Sequence, residues 1–172
     1  MTDQDRSSEV ERRDFIGALA KHRKLLLRTV RGLSEEQVRL RPTASVLSLG
    51  GVIKHVTLAE RNWSRFITEG ASAMGGADAT SVAHHATTFE MTDDETIALL
   101  RERYEQTART TDELIMILPS LDIMNPLPDA PWFEQGAWSA RRVLLHIIAE
   151  TAQHAGHADV IRETIDGAKT MG

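Results

Sequence analysis

Residues 138–167 read WSARRVLLHIIAETAQHAGHADVIRETIDG, and this stretch constrains the chain most. Its apolar residues Leu144, Ile147, Ile148, Ala155, Ala158 and Ile165 recur at helical spacing. Ser139 stands where an N-cap belongs, and Gly167 where a helix stops. On that helix His146, Glu150, His154 and His157 fall within an arc of about 80°. They form a polar stripe beside the apolar one, at the rim of the buried face. A chain holding such a helix needs other helices to cover the apolar stripe and to meet the polar one.

Three further stretches have the same period. The first runs from Glu9 to Val30, with Val10, Phe15, Ala18, Leu19, Leu25, Leu26 and Val30, after a frayed start over residues 1–8. Gly32 stops it, and a short helix restarts at Leu33–Gln37, where Ser34 and Gln37 have capping-box spacing. Pro42 ends that segment. The second long helix spans about Ser48 to Thr68, with Val52, Val56, Ala59, Trp63, Phe66 and Ile67 inward and His55 and Asn62 flanking them. Gly50-Gly51 at its start cost helix propensity, which points to a bend or to close packing at the first turn. A long connection, 70–91, carries Gly75-Gly76 and the loop pair His84-His85. Thr92, with Glu95 three residues on, caps a third long helix that runs to Leu118 before Pro119. Residues 120–137 hold Pro126, Pro128 and Pro131 and read as loop. Four long helices without a period-two strand pattern predict an all-α four-helix bundle, whose helix directions periodicity alone leaves open.

The 172 residues suit one domain, 1–172. A net charge of −5 argues against gripping nucleic acid or an anionic membrane. No Cys is present, which removes disulfides, thiolate metal sites and a cysteine nucleophile and fits a reducing, cytoplasmic setting. The charged start lacks the apolar core of a signal peptide, and no run approaches a membrane span.

Glu150 and His154, four residues apart, present two ligands from one helix; His55, beside the buried stripe of the second helix, is the best third. His22, among Lys21, Arg23 and Lys24, is not, and the basic face of Lys21, Lys24, Arg28 and Arg31 reads as solvated. Imidazole and carboxylate suit zinc or nickel, with iron or manganese as further choices, and three protein ligands leave an open position for chemistry. The same residues also fit a second reading, histidines satisfied by backbone carbonyls at a core edge. Arg141 and Arg142 at the start of the last helix fit pairing with a carboxylate of substrate or thiol, or a solvated helix end. Trp138 fits a pocket wall or packing, and Trp63 fits packing. No P-loop, GxGxxG, GxSxG or CxxC is present.

Two blocks, SLGGVIKHVTLAERNW (48–63) and ARRVLLHIIAETAQHAGHADVIRETIDG (140–167), resemble the DinB-like superfamily. The branch is an actinobacterial-type one, related to the N-terminal domains of mycothiol-dependent maleylpyruvate isomerases. The resemblance implies an up-up-down-down bundle with a divalent metal on His55, Glu150 and His154. His157 is the substitute ligand, and His146 a supporting or structural residue. It further implies a transferase or isomerase that uses a low-molecular-weight thiol, mycothiol or bacillithiol, made nucleophilic at the metal. A small-molecule substrate, cofactor contacts from Arg141, Arg142 and Trp138, and a homodimer belong to the same expectation. The alternatives are a hydrolase using metal-bound water and a non-enzymatic metal-binding or stress-responsive helical dimer.

Overall fold

The computed structural model describes residues 3–74, 87–131 and 133–170, apart from the side chains of residues 3–5 and 7. It is the expected all-α four-helix bundle. The long helices are α1 (Asp3–Arg28), α3 (Leu49–Glu69), α4 (Ile97–Ile117) and α5 (Ala140–Asp166), with the short α2 (Glu35–Arg39) after α1. The local signals act as read. Ser34 and Gln37 close a capping box in both directions. The Ser48 and Ser139 hydroxyls accept from the backbone N–H groups of Gly51 and Arg142. Gly167 ends α5 at φ 78°, a left-handed conformation that costs glycine little.

Two helix starts differ from expectation. Helix α1 already begins at Asp3, so part of the stretch expected to fray is helical, and one-turn contacts from Arg12 to Ser8 and from Arg13 to Glu9 support it. Helix α4 is capped by Thr96, not Thr92. Glu95 does bond back to the Thr92 N–H, but its carboxylate is also taken by Lys54 and Arg103, which keeps residues 92–95 in a turn outside the helix.

Helix directions follow from two apolar clusters. One joins Phe15 and Leu19 to Trp63, Phe66, Ile115, Leu144 and Ile147. The other joins Leu26 and Val30 to Val52, Ile53, Leu100, Tyr104, Ala158 and Ile161. The start of α1 therefore lies with the end of α3, the end of α4 and the start of α5. The order is up-down-down-up, which corrects the up-up-down-down arrangement implied by the resemblance. The 29–48 link, folded back through α2, returns the chain at the same end of the bundle. The 118–139 link does so at the other end. Only the crossover between α3 and α4 must travel the length of α3, about 30 Å. Helix α5 packs between α1 and α3, and α3 between α5 and α4.

The 118–139 link also contains a small antiparallel pair that the proline-rich sequence did not suggest: β1 (Met124–Pro126) against β2 (Ala137–Ser139). Strands of three residues are too short to display a period of two. The pair has a positioning role. The Asn125 side-chain amide donates to the Phe66 and Ile67 carbonyls at the end of α3, and Asn125 pairs in register with Trp138.

Candidate metal centre

His55 lies on the second turn of α3, on the side that meets α5, where Glu150 and His154 stand one turn apart. One ligand atom from each of the three lies within 4.8 Å of the others. His55 and His154 are buried, with rings edge to face at 4.9 Å, and Glu150 is half-buried with a carboxylate oxygen 3.6 Å from His154 Nε2. His154 Nδ1 is buried without a hydrogen-bond partner among the described residues, an arrangement that costs free energy unless something binds there. Burial, and then the neighbouring His157, hold the His154 imidazole below its ordinary pKa, so the ring keeps a lone pair near neutral pH. Two imidazoles and a carboxylate at this spacing could hold a divalent metal ion.

His55 has a further wall. Its Nδ1 is 2.9 Å from the Thr88 hydroxyl oxygen, and the Phe89 ring stacks on it at 3.7 Å. Neither residue carried a signal in the sequence. What pointed there was Gly50-Gly51: the Phe89 carbonyl lies against Gly51 and the Met91 side chain against Gly50, so close packing accompanies the pair.

The remaining predicted residues spread along α5. His157 is exposed, its ring 5.5 Å from that of His154, and it stands outside the converging group. His146, one turn before Glu150, packs edge-on against Trp63 at 4.6 Å and Trp138 at 5.3 Å, and burial lowers its pKa. Trp63 stacks on Trp138 at 5.0 Å within one core cluster, so Trp63 packs as expected and Trp138 packs beside it. The Arg142 guanidinium lies over Trp138 at 4.7 Å, a cation–π contact. Arg141 is engaged by Glu11 of α1 and by Asp122. It stands about 20 Å along the helix from His154. Arg28 and Arg31 are exposed, as are Lys21 and Lys24, whereas Arg23 is buried against Glu60 and Asp112. Gly75-Gly76 and His84-His85 lie outside the described residues.

A four-helix bundle with a histidine on its second long helix facing a carboxylate–histidine pair on its last belongs to the DinB-like class. More narrowly, the chain belongs to the mycothiol-S-transferase family, whose profile matches residues 14–167. Among solved structures, a conserved protein from Enterococcus faecalis is similar with a TM-score of 0.63 at 13% identity, over 98% of this chain and 99% of that one. At that identity the likeness is one of fold. No curated protein matches the chain at a significant level.

Proposed function

We propose that this protein is a divalent-metal-dependent S-transferase that joins a low-molecular-weight thiol of the mycothiol type to a small electrophile. The observation that carries the reading is the convergence of His55, Glu150 and His154, with His154 Nδ1 unpartnered among the described residues, in a chain of the mycothiol-S-transferase family. A zinc or nickel ion held there supplies the Lewis acidity that keeps a thiol as its thiolate near neutral pH. The chain's own part is to hold three donors at fixed spacing on two packed helices and to keep the His154 imidazole neutral by burial. The sequence contains no Cys, so the reacting sulfur arrives with the cofactor. In the transfer, the thiolate sulfur bonds to the electrophilic carbon, whose leaving group departs with the electron pair. Arg142 over Trp138 is the cationic group we assign to a carboxylate of cofactor or substrate, since Arg141 is tied to Glu11 and Asp122. We take residues 1–172 as one domain working in the reducing cytoplasm, where such a thiol stays reduced. No helix among the described residues is long and apolar enough to cross a membrane.

The test is elemental analysis of untagged protein purified without chelator, followed by assay of thiol–electrophile adduct formation. About one zinc or nickel ion per chain is expected, lost in His55→Ala and His154→Ala and kept in His22→Ala. Adduct formation should require both the thiol and the metal. Protein that takes up no metal on titration, or turnover independent of thiol, overturns the proposal.

A further inference from the structure

Building on the metal reading above, we infer that residues 88–95 form a strap that fixes His55 as a ligand, with Thr88 as its positioning residue and Gly51 as its seat. An imidazole has two nitrogens and, when neutral, one N–H, so a ligating histidine needs its other nitrogen held by an acceptor. Thr88 Oγ1 lies 2.9 Å from His55 Nδ1 and takes that role. In the tautomer whose Nδ1–H donates to Thr88, the lone pair lies on Nε2, the nitrogen that would meet a cation shared with Glu150 and His154. Thr88 is only 8% exposed, which limits replacement of its hydroxyl by water. The Phe89 ring lies nearly parallel to His55, at an interplanar angle of 14°, and restricts the χ2 rotation that would exchange the two nitrogens.

The strap is held from two sides. Lys54 of α3 donates to the Glu90 carbonyl and to the Glu95 carboxylate, both at 2.8 Å. Arg39 of α2 donates to the Thr92 carbonyl at 3.0 Å and also to the Glu95 carbonyl. Underneath, the strap touches the backbone of α3 itself. A Cβ on residue 51 would sit 1.8 Å from the Phe89 carbonyl oxygen, which is main chain and cannot turn aside. A Cβ on residue 50 would meet the Met91 sulfur at 2.0 Å, the movable end of a flexible side chain. Gly51 and His55 are one turn apart on α3 and share a face. A side chain at 51 therefore lifts the strap from the turn below the histidine. This accounts for Gly51 in the first turn of a helix, where a glycine costs up to about 1 kcal/mol against Ala.

The experiment measures zinc affinity by competition with a chromophoric chelator, alongside the melting of metal-free protein. Thr88→Val keeps the shape and removes the acceptor. It should raise the zinc Kd by about tenfold or more while the metal-free melt stays near that of the parent. Thr88→Ser should restore most of the affinity. Gly51→Ala should weaken zinc binding in the same direction, and Gly51→Ala with Thr88→Val should be little worse than either alone, because both remove one contact. Parent-like affinity in Thr88→Val, or no rescue by Ser, overturns the positioning role. Fully additive losses overturn the seat. If Gly51→Ala does not fold, the Val and Ser pair at residue 88 decides for the strap. Failure of the parent protein to take up zinc is a separate result, which overturns the metal reading and this inference with it.

Discussion

Two buried polar clusters stand close together in this bundle, and they differ in where their compensation comes from. Arg23 of α1 meets Glu60 of α3, with Nε 3.2 Å from one carboxylate oxygen, and its Nη1 is 2.8 Å from Asp112 of α4. Burial pulls the Arg23 pKa down, but Glu60 and then Asp112 push it up by more, so the guanidinium stays charged. Burial, followed by the Glu60 charge, pushes the nearby Tyr104 phenol far up and keeps it protonated. About 7.5 Å along α3, His55, Glu150 and His154 form the second cluster. It contains one carboxylate, an imidazole that burial keeps neutral, and a buried nitrogen without a partner among the described residues. The first cluster brings its own cation and joins three helices. The second offers converging donor atoms that could hold a cation supplied from outside. Buried polar groups thus divide by whether the chain completes them, and an incomplete set of ligating types marks a candidate site.

The largest effect is expected where the chain completes its own pair. Glu60→Ala leaves Arg23 buried with Asp112 alone, and loss of one member of a buried ion pair costs about 3–5 kcal/mol. Denaturant unfolding should show that loss, while zinc uptake per folded chain stays unchanged. If Glu60→Ala is as stable as the parent, the first cluster is not a structural device.

How far the sequence reveals these clusters depends on how local their causes are. The long helices were legible because apolar spacing and the caps Ser34, Ser48, Ser139 and Gly167 act within a turn. Glu150 and His154 were legible for the same reason. His55 was found through its place beside a buried stripe. The Arg23 cluster is not legible: in the sequence Arg23 is only one of the basic neighbours of His22, and Glu60 and Asp112 lie 37 and 89 residues away in the chain. Arg141 read as free to meet a cofactor, yet its partner Glu11 is 130 residues away. Helix directions depend on which end each link returns to, and a 20-residue link with an internal helix permits either. The start of α4 differs from its sequence signal because Thr92 and Glu95 do make a cap-like bond, within a strap and not a helix.

The second cluster should respond to metal and the first should not. A cation that binds only the folded state stabilises it by about 2.7 kcal/mol when free metal is a hundredfold above Kd. Chelation of verified metal-loaded protein should lower the melting temperature accordingly. In His154→Ala the loaded and stripped melts should coincide, while in Glu60→Ala the gap should persist on a lower baseline. An unchanged melt of the parent after complete metal removal would falsify the external-cation reading of the second cluster.

The smallest effect sharpens the same contrast through pH. The folded-state pKa values of His154 and His146 lie below the ordinary 6.5, in each case chiefly because of burial. Between the folded value and 6.5 the unfolded chain binds more protons than the folded one, so stability rises with pH in that window. The contribution is present in full above about 6.5 and is lost as pH falls towards the folded values. Metal-free protein should therefore melt at lower temperature at about pH 5.5 than at about pH 7.5. His146→Leu should flatten part of that dependence without touching the three ligands. Loading with zinc should steepen the acid loss, because protons then compete with metal for His154. Arg23, with its pKa raised, contributes nothing to this window. A pH-independent melt of the metal-free parent across the same range would mean that His154 and His146 are not held neutral by the fold, and the contrast between the two clusters would then rest on metal binding alone.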